Sequence, residues 1–228
     1  MSNRLRVIVD LITTAAILGT CAILISANWP RLHAAVAAPK LPKEAVSLAG
    51  ASLRGEPTAR VAVIEYSDYQ CPFCAAAEHG ALADVEERYV RTGKVLFALR
   101  HYPLERLHPL AMPAAEAAVC AGRSGKFWEM HSALFADQKN LETSALISRA
   151  RVIGLDQRAF EACLASKPTD EIRADLESAQ AIGLTGTPAF LIGTREGNGN
   201  VRVIALLNGA RSAADFAKII DPLLKSDH

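Results

Sequence analysis

The sequence predicts an α/β fold in which an all-helical insertion interrupts a mostly buried sheet, and three observations support this. The run Val61–Ile64 is continuously apolar, as in a strand buried on both faces. From about residue 108 to 183 the chain has helical periodicity and no good strand pattern. Strand patterns return at Ala189–Ile192 and Val201–Leu206 around a turn rich in glycine and asparagine, which indicates an antiparallel hairpin.

Each element follows from its own local pattern. In the helices, apolar residues recur three and four positions apart. Asp156 and Thr169 are suited to N-caps, and Ser212 is followed three residues later by Asp215, as in a capping box. The predicted elements are a strand over Val61–Tyr66, a helix over Cys71–Val90, a strand over Val95–Leu99, insertion helices over about 108–122, 127–135, 146–153, 156–165 and 169–182, the hairpin, and a helix over Ser212–Leu224.

The amino-terminal residues predict a transmembrane helix. Arg4 and Arg6 precede the apolar stretch Val7–Ala27, which is about long enough to span a bilayer. Basic residues before the span predict a cytoplasmic N-terminus and an extracytoplasmic domain after it. The alternative is a signal peptide cleaved near Ala35-Val36-Ala37, but that site lies far beyond the apolar stretch, so an uncleaved anchor is favoured.

The predicted organisation has three parts. Residues 1–28 form the anchor or signal segment, residues 29–44 a tether rich in proline and alanine, and residues 45–228 the domain that carries the helical insertion. The 25 Lys and Arg residues nearly balance the 24 Asp and Glu residues, which gives a formal charge of +1. Because basic residues are not interleaved with aromatic ones either, we expect no nucleic-acid partner.

Two cysteines in the sequence Cys71-Pro72-Phe73-Cys74 lie where the first strand meets a helix. Unpaired N–H groups and the dipole at a helix N-terminus lower the pKa of a cysteine there, so Cys71 is predicted to be a nucleophilic thiolate. Cys74, one turn later, is then the resolving thiol. A structural zinc site needs a second ligand pair at short spacing, which this sequence lacks, so we expect no metal and no cofactor. A thiol-based metal carrier remains the alternative from another class.

The other cysteines are interpreted from the predicted compartment. Cys21 lies within the apolar stretch. Cys120 and Cys163 are left over in a domain predicted to be exported, where disulfides persist and leftover thiols most often pair. A structural bond between them is favoured. The alternative is a second redox pair that relays electrons from Cys71.

Four segments in this order resemble the DsbA-like family of thiol:disulfide oxidoreductases: Glu65–Cys74, which contains the C-P-F-C motif, His108–Cys120, Gly125–His131 and Gly183–Phe190. The resemblance covers about residues 45 to 225. It implies a thioredoxin-like sheet with a helical insertion, in agreement with the predicted order of elements.

The resemblance also implies roles at the redox pair. Cys71 is the nucleophile and Cys74 its resolving partner, and Pro188 is a cis-proline beside them. Thr187, whose backbone can pair with an extended substrate, is assigned with Pro188 and Phe73 to substrate binding. Phe73 stands where the strongest oxidants of the family have histidine, which leaves the oxidising strength open.

Two further roles follow from the same resemblance. Glu65 is the candidate for proton transfer to and from Cys74, and the alternative is a glutamate at the strand end that reaches solvent. Cys120 and Cys163 correspond to a second disulfide in one branch of the family. The four histidines of the predicted domain that could tune a thiolate receive no catalytic role; they are His79, His101, His108 and His131.

The expected function is that of a membrane-tethered thiol:disulfide oxidoreductase of the cell envelope. The anchor would lie in the inner membrane and the catalytic domain in the periplasm, where it would introduce disulfides into reduced exported proteins. A membrane redox partner would reoxidise it, and we expect a monomer. An isomerase or reductase with the same site is the alternative, although related isomerases carry a dimerisation domain for which residues 29–59 are too few.

Overall fold

A six-stranded sheet lies at the centre of residues 41–225 in the computed structural model, which describes residues 13–14, 16–17, 19–21 and 41–225. The strands are β1 (Val46–Ser47), β2 (Ser52–Arg54), β3 (Val61–Ser67), β4 (Val95–His101), β5 (Ala189–Arg195) and β6 (Asn200–Asn208). Their order across the sheet is β1-β6-β5-β3-β4-β2. Strands β3 and β4 are parallel, and all other neighbours are antiparallel.

Helices cover both faces of this sheet. They are α1 (Pro72–His79), α2 (Ala81–Val85), a π-helical turn (Glu86–Val90), α3 (Ala111–Gly122), α4 (Phe127–Ala136), α5 (Thr143–Val152), α6 (Gln157–Ala165), α7 (Thr169–Ile182) and α8 (Ala213–Lys225). Helices α3 to α7 follow one another between β4 and β5 without an intervening strand. The predicted α/β sheet with an all-helical insertion is therefore confirmed.

Strand β3 lies inside the sheet, paired with β5 on one side and β4 on the other, and every one of its residues is buried. Side chains alternate between the two faces of a strand. Val61 and Val63 belong to the core formed with α1 and most of the insertion. Ala62 and Ile64 belong to a second core on the opposite face, which includes Ala179 of α7. The continuous apolar run that predicted this strand therefore packs into two hydrophobic cores, one on each face of the sheet.

The helix predicted over Cys71–Val90 is not continuous, and this prediction is wrong. It breaks at Gly80, whose φ of −114° and ψ of −105° are not helical. A Cβ atom at Gly80 would lie only 2.8 Å from the carbonyl oxygen of Ala76, so this bend requires glycine. After the bend, α2 buries Leu82 and Val85.

Two short strands were not predicted, and the predicted ends of the longer strands were too early. Strand β1 has 2 residues and β2 has 3, which is too short for an alternating pattern. Each exists because it pairs with a longer strand, β1 with β6 and β2 with β4. Pairing also extends β3 to Ser67 and β4 to His101.

Caps define several helix ends. Asp156 accepts a hydrogen bond from the backbone N–H of Ala159 at 2.8 Å, as expected of an N-cap. Ser212 and Asp215 exchange side chain to backbone hydrogen bonds at the start of α8, which confirms the capping box. Thr169 is the first residue of α7, so its predicted N-cap role is wrong by one position.

A buried ion pair joins the insertion to the sheet. The guanidinium of Arg100 on β4 contacts the carboxylate of Asp175 on α7, and both side chains are almost completely buried. The second carboxylate oxygen of Asp175 accepts the backbone N–H of His101 at 2.8 Å. Arg100 also donates to the carbonyl oxygens of Ser47 and Ala49. This cluster fixes the carboxyl end of β4 against α7.

The chain divides into two units, residues 1–40 and 41–228. In the first unit, the described residues 13–14, 16–17 and 19–21 are helical. The rest of the predicted anchor, and the predicted tether up to residue 40, lie outside the described residues. Among the residues that the structure describes, no helix combines the length and apolar character needed to cross a bilayer.

Candidate redox site

Cys71 is the N-cap of helix α1. Its backbone is extended, with φ of −73° and ψ of 122°, and Pro72 occupies the first helical turn, where a missing N–H is tolerated. The N–H of Cys71 donates to the carbonyl oxygen of Asp68 at 3.1 Å, which closes the turn after β3. This local sequence places the Cys71 sulfur beside the unpaired N–H groups of the helix N-terminus.

The surroundings of Cys71 stabilise its thiolate. The pKa of Cys71 is lowered to about 5, chiefly by a hydrogen bond from the thiol of Cys74. Thr187 and the backbone N–H groups of Cys74 and Phe73 lower it further, while burial opposes them. These influences together favour the thiolate form of Cys71 at neutral pH.

Cys74 has the opposite character. Its pKa is raised, first by burial, then by the hydrogen bond to Cys71 and by the charges of Glu65 and Cys71. Cys74 has no exposed surface, and neither cysteine of the pair is in a disulfide. The site thus combines an attacking thiolate with a protonated thiol one helical turn away.

The predicted proline loop lies against this pair. The peptide bond between Thr187 and Pro188 is cis. The carbonyl oxygen of Thr187 lies 3.5 Å from the Cys71 sulfur. Phe73 is 63% exposed, so an aromatic ring reaches solvent between the two cysteines of the motif. The structure therefore brings Cys71, Cys74, Thr187 and Pro188 into one site, with Phe73 at its surface.

Glu65 lies behind the pair and does not reach solvent. It is 1% exposed, and its Oε2 atom has no hydrogen-bond partner among the described residues. Burial, followed by the nearby charge of Glu78, raises the pKa of Glu65 to about 8. Glu65 also influences the pKa of Cys74. This placement excludes the alternative of a solvated strand end and leaves the proton-transfer role as a proposal.

A second carboxylate, Asp68, organises the loops around the site. Its Oδ1 accepts the N–H of Gln70 at 2.7 Å, and its Oδ2 accepts the N–H of Leu104 at 2.9 Å. The Nδ1 atom of His108 lies 2.8 Å from the same Oδ2. Asp68 thereby joins the loop after β3 to the loop after β4. This role of Asp68 was not predicted from the sequence, although an aspartate two residues before Gln70 is a turn signal.

The insertion also holds the redox loop directly. Gln138, just after α4, donates from Nε2 to the carbonyl oxygens of Tyr69 at 2.7 Å and Cys71 at 3.0 Å. The guanidinium of Arg149 on α5 holds the segment that contains Gln138 in place. It donates hydrogen bonds to the carbonyl oxygens of Ala133, Asp137 and Asn140. No sequence pattern near Gln138 indicated this contact, because its partners are backbone atoms 67 and 69 positions away.

Cys120 and Cys163 form a disulfide in the structure, with Cα atoms 5.8 Å apart. It joins α3 to α6 within the insertion. In the part of the chain that the structure describes, no cluster of three or more His, Cys, Asp and Glu side chains could hold a metal ion.

We predict that the Cys120–Cys163 bond is structural. The double variant Cys120→Ser/Cys163→Ser is expected to lower the free energy of unfolding by up to about 4 kcal/mol, because the unfolded chain gains loop entropy. Urea unfolding and turnover on a reduced protein should be measured together. Loss of turnover without loss of stability would instead support an electron relay through this pair.

The ionisation of Cys71 gives a further prediction. Alkylation of reduced protein at Cys71 is expected to follow a titration with a midpoint near pH 5, the lowered pKa of this thiol. Because the unfolded chain keeps this proton up to the ordinary thiol pKa of about 8.5, the stability of the reduced protein relative to Cys71→Ala should rise between about pH 5 and about pH 8.5. The comparison with Cys71→Ala cancels the opposite contribution of Glu65, whose pKa is raised to about 8. An alkylation midpoint near the ordinary value would contradict the prediction.

Because an attacking thiolate and a protonated resolving thiol share one helical turn, the site can exchange its dithiol with another disulfide. The chain is an enzyme of the thiol:disulfide oxidoreductase class. A family model described as thioredoxin matches residues 48–221. The chain therefore belongs to the thioredoxin family.

Solved structures support the same class and confirm the DsbA-like resemblance. The chain is similar to alpha-DsbA1 of Wolbachia pipientis, with a TM-score of 0.69 and 27% identity, over 78% of this chain and 93% of that one. It is also similar in fold to oxidised BdbD of Bacillus subtilis, with a TM-score of 0.68 and 20% identity, over 81% of this chain and all of that one, 100%.

The similar curated proteins are much longer. The Na(+)/H(+) antiporter NhaA 1 of Mycobacterium sp. (strain KMS) is 39% identical over 150 residues, which are 64% of this chain and 24% of the antiporter. NhaA 3 of Salinispora tropica is 36% identical over 73% of this chain and 25% of that protein. The chain thus spans about a quarter of the length of these relatives.

Proposed function

We propose that this protein is a membrane-tethered oxidase of the cell envelope that donates the Cys71–Cys74 disulfide to reduced exported proteins. The observation that supports this proposal most directly is that the two thiols have opposite pKa shifts. The pKa of Cys71 is lowered to about 5, and that of Cys74 is raised. A stabilised thiolate favours the reduced form of the pair. A dithiol whose reduced form is stabilised gives up its disulfide readily.

The proposed reaction has two exchange steps. A client thiolate attacks the Cys71 sulfur, the bond between the two sulfurs breaks, and its electron pair leaves on Cys74, which takes a proton from Glu65. A second client thiolate then attacks the client sulfur of the mixed disulfide. This step forms the client disulfide and releases Cys71 as a thiolate. The enzyme has gained the two electrons that the client lost.

Client binding is proposed at the surface beside Cys71. The Thr187 backbone lies against the Cys71 sulfur, and Pro188, which lacks an N–H, follows it. Pairing with the Thr187 main chain would not read client sequence, which suits many unfolded clients. Phe73, 63% exposed, adds an apolar contact for client side chains.

The location is part of the proposal. The apolar stretch Val7–Ala27 after Arg4 and Arg6 supports an anchor in the inner membrane, with the redox domain in the periplasm. The Cys120–Cys163 disulfide supports an oxidising compartment. Fractionation of the full chain tests this. Retention in alkali-washed membranes is expected, whereas a soluble product beginning near Ala37 would indicate a cleaved signal peptide.

Equilibration of the excised domain with glutathione buffers tests the direction of the reaction. A potential near about −120 mV would support a disulfide donor, and one near about −270 mV a reductant. Since Phe73 supplies no cation to the thiolate, we expect a value on the reducing side of the strongest oxidants. Isomerase activity on scrambled protein would support the isomerase alternative. Stoichiometric zinc or copper without exchange activity would support a metal carrier.

Recycling and assembly complete the proposal. Each turnover leaves the enzyme reduced, so a membrane redox partner must accept its electrons. We propose that the protein acts as a monomer, which light scattering on the detergent-solubilised full chain would check.

A further inference from the structure

Three side chains behind the redox pair have no role in the reaction proposed above. They are Tyr69 from the loop before α1, Glu78 from α1 and His131 from α4. His131 has no exposed surface. Its Nδ1 atom lies 3.2 Å from the Tyr69 hydroxyl, and its Nε2 atom lies 3.2 Å from Oε1 of Glu78.

The imidazole ring of His131 lies between Tyr69 and Glu78 and contacts one of them with each ring nitrogen. Burial raises the pKa of Tyr69 well above its ordinary value, so this hydroxyl keeps its proton in its hydrogen bond with Nδ1. The Nε2 atom faces the carboxylate of Glu78 at 3.2 Å, in a close contact that is not a well-aligned hydrogen bond.

His131 favours the charged form of Glu78 in a place where burial disfavours it. Burial is the largest influence and raises the pKa of Glu78, but the contact with His131 and the charges of Arg54 and His79 together outweigh it, so the pKa is lowered overall. Glu78 therefore carries a negative charge close behind the redox pair. Its side chain is 18% exposed, which gives the carboxylate access to water.

That charge acts on Glu65. The titratable and charged groups that influence Glu65, or that Glu65 influences, are Glu78, Arg54, Tyr69 and Cys74. Of these, Glu78 disfavours the Glu65 carboxylate and Arg54 favours it. On β4, His101 is buried and its pKa is lowered to about 3, so it adds no positive charge at neutral pH.

We propose that His131 is a positioning residue for proton transfer: it holds Glu78 ionised, and the charge of Glu78 keeps Glu65 protonated until Cys74 leaves. The inference rests on the proposed role of Glu65 in donating that proton. When the bond between Cys71 and Cys74 breaks, the electron pair stays on the Cys74 sulfur and the Glu65 proton moves to it. Glu65 then recovers a proton from water.

The protonation of Glu65 can be measured without turnover. In the reduced protein, infrared difference spectra between wild type and Glu65→Gln isolate the band of the protonated carboxyl group. A pH titration should give a midpoint near 8 for wild type, the raised pKa of Glu65. In His131→Gln, and likewise in Glu78→Gln, the midpoint is expected to fall by about one pH unit, because the charge on Glu78 is weakened or removed.

Controls separate this coupling from a packing role of His131. In His131→Gln/Glu78→Gln the midpoint should fall no further than in Glu78→Gln, because both changes act through one charge. His108→Gln removes a histidine that contacts Asp68 and should leave the midpoint unchanged. The alkylation midpoint of Cys71 should also stay unchanged in both single variants.

The outcomes are distinct. An unchanged Glu65 midpoint in both His131→Gln and Glu78→Gln would overturn the inference, as would additive shifts in the double variant. Glu78→Gln keeps the test possible if His131→Gln does not fold. A potential near that of a reductant would overturn the proposed oxidase function and leave the Glu65 titration unaffected, so the two failures can be told apart.

Discussion

The variant Cys71→Ser is expected to lose disulfide exchange by at least about 10³-fold, because a serine hydroxyl is not ionised at neutral pH and cannot form a disulfide. The thiolate that it removes has its pKa lowered to about 5. Exchange is measured as oxidation of a reduced model protein by the oxidised enzyme. The purified variant should keep its fold, because serine is small enough to replace the cysteine at the start of α1.

The matched variant Cys74→Ser is expected to fail at a different step. Its Cys71 thiolate can still attack oxidised glutathione, but no second thiol is present to close the ring and release the mixed disulfide. Mass spectrometry should therefore find a stable adduct at Cys71. Wild type under the same conditions should form the intramolecular disulfide.

Cys120→Ser/Cys163→Ser is the control for both changes and should retain exchange. If Cys71→Ser kept exchange, or if Cys74→Ser formed no adduct, the assignment of nucleophile and resolving thiol would be wrong. An adduct on Cys74 in Cys71→Ser that formed as fast as the wild-type reaction would reverse the two roles.

The variant Asp175→Ala is expected to lower the free energy of unfolding by about 3 to 5 kcal/mol, because it leaves the Arg100 guanidinium buried without its carboxylate. The two side chains are only 6% and 5% exposed. The change also removes the acceptor for the backbone N–H of His101. Urea unfolding at neutral pH measures the loss.

An exposed aspartate on the same helix, α7, provides a control for this variant. Asp170 lies on the same helix, its side chain is 97% exposed, and it forms an ion pair with Arg173 at 3.7 Å. Asp170→Ala should cost less than about 1 kcal/mol, because solvent screens such a pair. Equal effects of the two alanine variants would show that the Arg100–Asp175 pair does not hold β4 against α7.

The double variant Arg100→Met/Asp175→Leu distinguishes two contributions to the free energy of unfolding. One is the net contribution of the ion pair, and the other is the cost of leaving one buried charge unpaired. Replacing both partners by apolar residues of similar volume is expected to recover much of the stability lost in Asp175→Ala. A double variant as unstable as Asp175→Ala would instead place the loss in the hydrogen bonds to His101, Ser47 and Ala49.

Much of the fold could be predicted because its main elements carry their own signals. Strand β3 reads as buried because Val61–Ile64 is apolar on both faces, and the caps at Asp156 and Ser212 mark helix starts within a few residues. The break at Gly80 could not be predicted with the same certainty, because glycine is tolerated inside helices and only packing decides whether it bends the chain. Strands β1 and β2 depend wholly on their partners.

The candidate site likewise has features that the sequence predicts and features that it does not. The spacing of Cys71 and Cys74 determines that they share one helical turn, and the preceding strand determines that Cys71 lies at a helix N-terminus. Glu78 could have been found, because a residue four positions after Cys74 shares its helix face. The contacts of Gln138 and His131 could not be predicted, because these residues reach the site from the insertion across long sequence separations.

By itself, therefore, the sequence determined the chemistry of the redox pair, since thiol spacing and a helix start are local properties. Only the tertiary structure decided the environment that tunes that chemistry. It buries Glu65 and Cys74, brings Thr187 to within 3.5 Å of the Cys71 sulfur, and sets the His131–Glu78 pair behind them. The physical reason is that desolvation and charge interactions act through space, between residues whose separation along the chain gives no sign of contact.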